Sequence, residues 1–247
     1  MRHANFGLAF LCVFGLVGAA GAQTYSYSTA SGAVDSASDK VNANVLFTVG
    51  NGTLNIDLTN LLSCLDVYNV GQNLSDITFN LSNTGLNAGS VVSSDSTFVD
   101  VNGTGAGSVT TSHDQDAYTD KMGWGLYSLG SGKFHLDGLN GLYTPAMTIV
   151  GGVEGGFTPY SNSNSSINHG TGPHNPFAQG EADFTLNIAG ITTATQITGA
   201  TFSFGTTPGD NVSGHFNPPA PTPEPFTLAF AGAGALFGIR KIRRSSH

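Results

Sequence analysis

The segment Val41–Val49, with the sequence VNANVLFTV, decides the fold class, because its odd-numbered positions are all apolar and its even-numbered positions are mostly polar. Gly50-Asn51-Gly52 follows as a turn signal, and the next eight residues, TLNIDLTN at 53–60, alternate in the same way. Successive side chains of a strand point to opposite faces, so each of the two segments buries one face. The stretch therefore predicts a β-hairpin with one apolar face.

The same two-residue period recurs outside this hairpin. It predicts strands over 77–81, 182–188 and 200–204, and more weakly at 25–28, 90–101, 124–129, 133–136 and 146–150. A short helix is compatible with 59–68, and long polar loops are expected at 103–107 and 159–176. About eight to ten short strands without helical periodicity predict an all-β fold, a single antiparallel β-sandwich or jelly-roll-like domain over residues 23–217.

The charge of the chain is unusually low and unevenly placed. Only 10% of the residues are charged, against about 25% in ordinary soluble domains. Between residues 23 and 222 there are 15 acidic residues and three basic ones, Lys40, Lys121 and Lys133, so this part has a net charge of −12. Nucleic acid is therefore excluded as a partner, because phosphate contacts need clustered lysine and arginine.

Residues 1–22 have the layout of a secretory signal peptide. Arg2 supplies a positive start, an apolar run follows at 6–17, and Ala20 and Ala22 form a small-residue cleavage site, with cleavage expected after Ala22. The run is shorter than the roughly 20 apolar residues that a transmembrane helix needs. Export with removal of this segment is predicted, and a retained membrane anchor is the alternative.

The C-terminal segment has three parts. Residues 218–225 are rich in proline and predict an extended linker. Residues 226–247 combine an uncharged run, which predicts a short transmembrane helix, with a basic cluster of Arg240, Lys241, Arg243 and Arg244. The uncharged run would form a helix about 21 Å long, whereas the hydrocarbon core of a membrane is about 30 Å thick. The helix could therefore span the membrane only if the flanking basic side chains reach the interface. Clustered bases stay cytoplasmic, so the β-domain is expected on the outer side.

This tail resembles the PEP-CTERM sorting signal of bacterial surface proteins, on the residues Pro223, Glu224 and Pro225, the short apolar run and the terminal basic cluster. The resemblance implies recognition by an exosortase, a membrane protease that cuts near the Pro-Glu-Pro motif. It also implies transient anchoring in the inner membrane, followed by passage to the cell envelope, the surface or the extracellular matrix. Hosts of such proteins tend to make exopolysaccharide, which implies a matrix or biofilm role. A C-terminal anchor that is never cut is the alternative.

The middle of the chain offers few candidate sites. Asp114, Asp116 and Asp120 have the spacing of oxygen ligands for Ca²⁺, but the glycine and closing glutamate of an EF-hand are missing, and a solvated acidic loop is the other interpretation. Zinc would require His169 and His174, in a nonspecific spacing, together with His113 or His135. Cys64 would be the only cysteine left after signal removal, and a buried thiol is predicted there.

Aromatic residues leave one further alternative open. Trp124 and Tyr127, near Tyr118, form either a platform for sugar rings or part of the core, and core packing of Trp124 is favoured. No G-x-S-x-G, H-E-x-x-H or P-loop occurs, so no catalytic residue is nominated. The sequence therefore predicts an exported, non-enzymatic surface or matrix protein without a cofactor, Ca²⁺ excepted. A secreted carbohydrate-binding module and a secreted hydrolase are the alternatives.

Overall fold

The computed structural model describes residues 21–102, 107–112, 122–140, 147–152, 160–168, 174–207 and 209–218. Strands account for 53% of the structure and helical residues for 4%, so the predicted all-β class is confirmed. The predicted signal sequence, except for its last two residues, and the predicted C-terminal helix lie outside the described residues. Within the described ranges, every helix is too short and too polar to cross a membrane.

Thirteen strands in the described part of the chain belong to one sheet. They are β1 (Gln23–Ser28), β2 (Ala43–Val49), β3 (Thr53–Asn60), β4 (Leu74–Leu81), β5 (Gly89–Val101), β6 (Gly107–Ser112), β7 (Gly125–Gly130), β8 (Lys133–Asp137), β9 (Ile149–Val150), β10 (Phe177–Ile188), β11 (Ile197–Phe204), β12 (Asn211–Ser213) and β13 (His215–Asn217). Two 3₁₀ helices, Cys64–Asp66 and Val70–Gln72, lie between β3 and β4.

The strand order is β12-β11-β4-β9-β10-β3-β2-β1-β13, with β8 and β7 added at β4 and with β5 and β6 added at β10. Among the described strands, all pairings are antiparallel except that of β9 with β10, which is parallel; an isolated parallel bridge also joins Ser63 and Gly152. The sheet is therefore mixed, and the antiparallel arrangement predicted from the sequence holds for every described strand pair but this one. The exception is short: β9 has two residues, which bridge β10 on one side and β4 on the other.

The sheet folds back so that its two halves face each other across one core. The rings of Phe47 on β2 and Phe79 on β4 lie 5.4 Å apart, although these strands are not neighbours in the sheet. The Tyr27 hydroxyl on β1 donates to the carbonyl of Ile197 on β11 over 2.9 Å. The two ends of the strand order, β12 and β13, are separated in the sequence only by Gly214, so one short segment pairs with both halves.

The hairpin predicted from the sequence, β2–β3, is confirmed by the structure. The apolar residues of β2 and β3 pair on one face, with Phe47 opposite Ile56, and both side chains are fully buried. Gly52 has a φ of +80°, a conformation that glycine adopts without steric cost, and it closes the turn. Alternation thus determines which face of each strand meets the core.

Three strands and one loop differ from the sequence predictions. The strands β6, β12 and β13 are short and lack a clear two-residue apolar period in the sequence. Strand β12 pairs with β11, β13 with β1, and β6 with β5. Residues 59–68 do not form an α-helix: β3 continues to Asn60, and only a 3₁₀ turn follows, capped by the Ser63 hydroxyl. Cys64 is fully buried in a second, smaller apolar cluster, which confirms the predicted buried thiol.

Candidate functional site

Two neighbouring strands, β4 and β8, place titratable side chains together on the outer face of the sheet. Phe79 on β4 and Phe134 on β8 point into the core and stack. The alternate positions therefore point outward, and the register sets Asp76 opposite Asp137 and Thr78 opposite His135. The strand pairing thus brings Asp76 together with His135 and Asp137, which lie about 60 positions later in the sequence; we call these three residues the β4–β8 cluster.

The β4–β8 cluster has a defined geometry. Nε2 of His135 lies 2.9 Å from Oδ1 of Asp76, and Nδ1 of the same ring lies 3.8 Å from Oδ2 of Asp137. The side chains of Asp76 and Asp137 are only 5% and 2% exposed, whereas the His135 side chain is 24% exposed. The imidazole therefore stands between two buried carboxylates with one edge toward solvent.

Both carboxylates are oriented by further hydrogen bonds. Oδ1 of Asp137 accepts from the backbone N–H groups of Leu139 (2.7 Å) and Asn140 (3.3 Å), and its Oδ2 accepts from the Asn140 side chain. Oδ2 of Asp76 accepts from the Ser75 hydroxyl at 3.3 Å. These contacts fix the two carboxylates and leave Oδ1 of Asp76 and Oδ2 of Asp137 directed toward the ring of His135.

The electrostatics of the β4–β8 cluster favour a cation. The hydrogen bond to Asp76 raises the pKa of His135 above its usual value, and the negative charges of Asp76 and Asp137 raise it further, against the opposing effects of burial and of Lys133. With the ring protonated, the three groups still carry a net charge of −1. The cluster can therefore hold a proton on its imidazole, or a metal ion between one nitrogen and two oxygens.

A second set of acidic residues crosses the opposite half of the sheet. Asp183 on β10 is paired with Asp57 on β3 on one side and with Asp95 on β5 on the other. The three carboxylates therefore form a row across three adjacent strands, here called the aspartate row. They line a shallow cavity of about 440 Å³, and none of the described residues that line it is basic: Asn55, Asp57, Ser93, Ser94, Asp95, Asp183, Phe184 and Thr185.

The aspartate row is more exposed than the β4–β8 cluster. Asp57 and Asp183 are exposed, and Asp95 is half-buried. Partial burial raises the pKa of Asp183 above its usual value, and the negative charges of Asp57, Glu181 and Asp95 raise it further. Like charges directly opposite each other on neighbouring strands destabilise a sheet, so the row is under electrostatic repulsion at neutral pH.

Most residues nominated from the sequence lie outside the described ranges. This holds for the candidate Ca²⁺ ligands, for His113 and His169, and for the sorting motif with its basic cluster: Asp114, Asp116, Asp120, Pro223, Glu224, Pro225, Arg240, Lys241, Arg243 and Arg244. Ala20 also lies outside, while Ala22 is described, is exposed and directly precedes β1. His174 is described, and burial lowers its pKa.

The core position favoured for Trp124 is confirmed. Its ring packs against Phe184 with the centroids 5.0 Å apart, its indole N–H donates to the Met147 carbonyl over 3.0 Å, and it is only 3% exposed. Trp124 therefore offers no flat face to a sugar. Tyr127 is 41% exposed, and its hydroxyl donates to the Asn140 carbonyl over 3.3 Å.

Sequence reasoning missed the β4–β8 cluster. It considered His135 only as a partner for other histidines, and it did not consider Asp76 or Asp137. The alternation of β4 and β8 does place all three residues on outward positions, but only the pairing of the two strands shows that they meet. Comparison of the chain with protein families, curated proteins and solved structures finds no match.

Proposed function

We propose that the protein is an exported, non-enzymatic component of the cell surface or extracellular matrix, carrying a C-terminal sorting signal that an exosortase processes. The observation that carries the proposal is the position of the fold relative to the two predicted processing points. The first strand begins at Gln23, directly after the expected cleavage at Ala22, and the last ends at Asn217, directly before the proline-rich linker. All described strands lie between these points.

The two ends of this domain also pair with each other. β1 and β13 run antiparallel, with Ser26 opposite Asn217, and the Asn217 side chain donates to the Ser28 hydroxyl over 3.0 Å. The outermost strands of the domain are thus held before either predicted terminal segment begins. Cleavage on both sides would leave the described pairings intact, which is what a domain delivered by two removable signals requires.

The fold assignment extends the same proposal. The two facing halves of the sheet fit a β-sandwich of the jelly-roll type, with the parallel β9 as a local irregularity. Such a domain needs no disulfide, because its core is closed by long antiparallel pairings. Before processing, the C-terminal run would hold the protein in the inner membrane; afterwards the domain would lie in the envelope or matrix, where exopolysaccharide is the expected neighbour.

The experiment is intact-mass measurement of the protein from fractionated exosortase-positive cells. We expect a species that begins at Gln23 and ends near Pro223–Pro225, in the envelope or the medium. Glu224→Ala should accumulate in the membrane fraction with its C-terminus intact. Pro219→Ala is the matched control, since it alters the same linker outside the motif and should be processed normally.

The contrary result is equally specific. A wild-type protein that still ends at His247 in the membrane fraction of exosortase-positive cells would refute sorting. Equal processing of Glu224→Ala and the wild type would refute the role of the motif. Disruption of the exosortase gene should give the same retained species as Glu224→Ala, which separates a failure of cleavage from a failure of export.

Carbohydrate binding is a second candidate function, favoured by the cavity at the aspartate row. Asn55, Ser93 and Thr185 line it beside the carboxylates, so hydroxyl, amide and carboxylate groups face the same space. Such groups form hydrogen bonds with sugar hydroxyls. A glycan array, read with and without EGTA, tests this: binding that is lost on Asp183→Asn supports it, and absence of binding in both conditions refutes it.

A further inference from the structure

The β4–β8 cluster stands out among the titratable groups of the described chain. Within the described ranges, it is the one group of three or more histidine, cysteine or acidic side chains whose ligand atoms all lie within 4.8 Å of one another. Its two carboxylates are also buried, whereas most acidic residues in the described part of the chain are exposed or only partly buried. Convergence and burial together distinguish it from an ordinary solvated acidic surface.

The charges in the β4–β8 cluster do not balance. Asp76 and Asp137 lie opposite each other, and both are more than nine-tenths buried. Carboxylates in such positions need a compensating cation, because water no longer solvates them. His135 supplies one positive charge at most, and only when protonated. A divalent ion would neutralise both carboxylates at any pH at which they are ionised.

The distances suit a shared ion. The 3.8 Å between Nδ1 of His135 and Oδ2 of Asp137 is too long for a hydrogen bond. Two ligands of a tetrahedral zinc ion, each about 2.1 Å from the metal, lie about 3.4 Å apart. A small rotation of the imidazole is therefore enough to give both atoms metal contact. One ligand atom from each of Asp76, His135 and Asp137 lies within 4.8 Å of the other two.

The supporting contacts also have the character of a metal centre. Ligands of a metal site are held by outer hydrogen bonds that fix their orientation. Asp137 is held in this way by Leu139 and Asn140, and Asp76 by Ser75. His135 is held on a strand paired on both sides, by β4 and β7. The three side chains are thus placed before any ion arrives.

We propose that Asp76, His135 and Asp137 bind a divalent transition-metal ion of the Zn²⁺ type, with water completing its coordination. One imidazole nitrogen and two carboxylate oxygens suit Zn²⁺ or Mn²⁺, whereas Ca²⁺ takes oxygen ligands and more of them. The exposed edge of His135 gives the ion a path from solvent without opening the core. This proposal is independent of the sorting signal.

The bound ion would form a metal-dependent cross-link between two strands. The ion would link β4, in the centre of its half of the sheet, to β8, whose other neighbour, β7, is an edge strand among the described residues. Binding to the folded state alone stabilises that state in proportion to the logarithm of ion concentration. We therefore expect the unfolding midpoint of the protein to rise with Zn²⁺ and to fall on treatment with EDTA.

The test is isothermal titration of the full chain, stripped with EDTA, with Zn²⁺, Mn²⁺ and Ca²⁺. We expect one Zn²⁺ per chain, with Ca²⁺ unable to displace it. His135→Gln should weaken binding by at least about tenfold, since even loss of an outer-shell partner costs about 10–100-fold. His215→Gln, which removes an exposed histidine on β13, and Asp183→Asn, which alters the aspartate row, should leave the affinity unchanged.

A measurement on the wild-type chain keeps the test valid if His135→Gln does not fold. The ring ¹⁵N resonances of the seven histidines are recorded by NMR before and after one equivalent of Zn²⁺, and His135 should show the largest shift. Wild-type protein that binds no Zn²⁺ at millimolar concentration, or that binds it with the His135 resonances unchanged, would overturn the proposal. So would undiminished binding by a folded His135→Gln protein.

Discussion

The two halves of the sheet handle clustered carboxylates in opposite ways. In the β4–β8 cluster, Asp76 and Asp137 are almost fully buried, and an imidazole and hydrogen-bond donors surround them. In the aspartate row, Asp57 and Asp183 stay exposed, and none of the described residues that line their cavity is basic. Both groups arise from the same event, acidic residues facing each other across paired strands. Burial is found where a histidine and hydrogen-bond donors compensate the charges, and exposure where the described surroundings offer no basic partner.

The difference follows from the shortage of bases in this chain. Between residues 23 and 222 there are three lysines and 15 acidic residues, and one of the lysines, Lys40, is paired with Asp66 over 3.3 Å. A carboxylate without a basic partner is stabilised by water, which requires exposure. The histidine of the β4–β8 cluster replaces water there, so we expect its removal and the relief of the row's repulsion to change stability in opposite directions.

The largest effect is expected on removal of that histidine. His135→Leu should lower the free energy of unfolding by about 3 kcal/mol in EDTA, the lower end of the cost of breaking a buried ion pair, because His135 is partly exposed. Equilibrium urea denaturation measures this. The control is His215→Leu, at an exposed position, which should stay within about 0.5 kcal/mol of the wild type. Equal stabilities of the two variants would show that the buried carboxylates do not depend on the imidazole.

The sequence predicted the inward faces of this fold better than its outward ones. Apolar alternation identified Phe47, Ile56 and Phe79 as core residues, because burial of a strand face leaves a two-residue period in the sequence. It did not identify β12 and β13, which have three residues each, too few to show a period, and which pair with β11 and β1. Pairing partners leave no local signal in the residues of an edge strand.

The same limit explains why the β4–β8 cluster was not predicted. Asp76 and Asp137 are 61 positions apart, and they meet only because β8 pairs with β4 in one particular register. A register shifted by one residue would turn Asp137 toward the core. The nominated Ca²⁺ ligands, in contrast, were chosen by local spacing, and they lie outside the described residues, so that hypothesis stays a prediction.

A smaller effect of opposite sign is expected in the aspartate row. Asp183→Asn should raise the free energy of unfolding at pH 7 by up to about 1 kcal/mol, because it removes a like charge from between Asp57 and Asp95. The pKa of Asp183 is raised in the folded state, so the folded protein binds a proton there more readily than the unfolded chain. The repulsion is therefore present at neutral pH and disappears as the pH falls through that pKa toward the usual value of 3.8.

Denaturation at a series of pH values checks both the sign and the window. The advantage of Asp183→Asn over the wild type should shrink as the pH falls and vanish once the wild-type carboxyl is protonated in both states. Asp66→Asn is the matched control, since Asp66 faces Lys40 in an exposed pair and its loss should cost about 0–1 kcal/mol. A stabilisation by Asp183→Asn that did not change with pH would have to come from something other than charge.

The smallest expected effect is the dependence of stability on salt, which should differ between the aspartate row and the β4–β8 cluster. Raising the ionic strength from about 0.01 to 1 M shortens the Debye length from about 30 to 3 Å, which weakens repulsion between exposed charges and affects buried pairs much less. The wild type should therefore gain stability by a few tenths of a kcal/mol in NaCl, up to the limit of about 1 kcal/mol for such a pair, and Asp183→Asn should gain less. The cost of His135→Leu should stay nearly constant across the same series. If salt reduced that cost as strongly as it reduced the advantage of Asp183→Asn, the β4–β8 cluster would be open to solvent ions, and burial would not be what distinguishes it from the aspartate row.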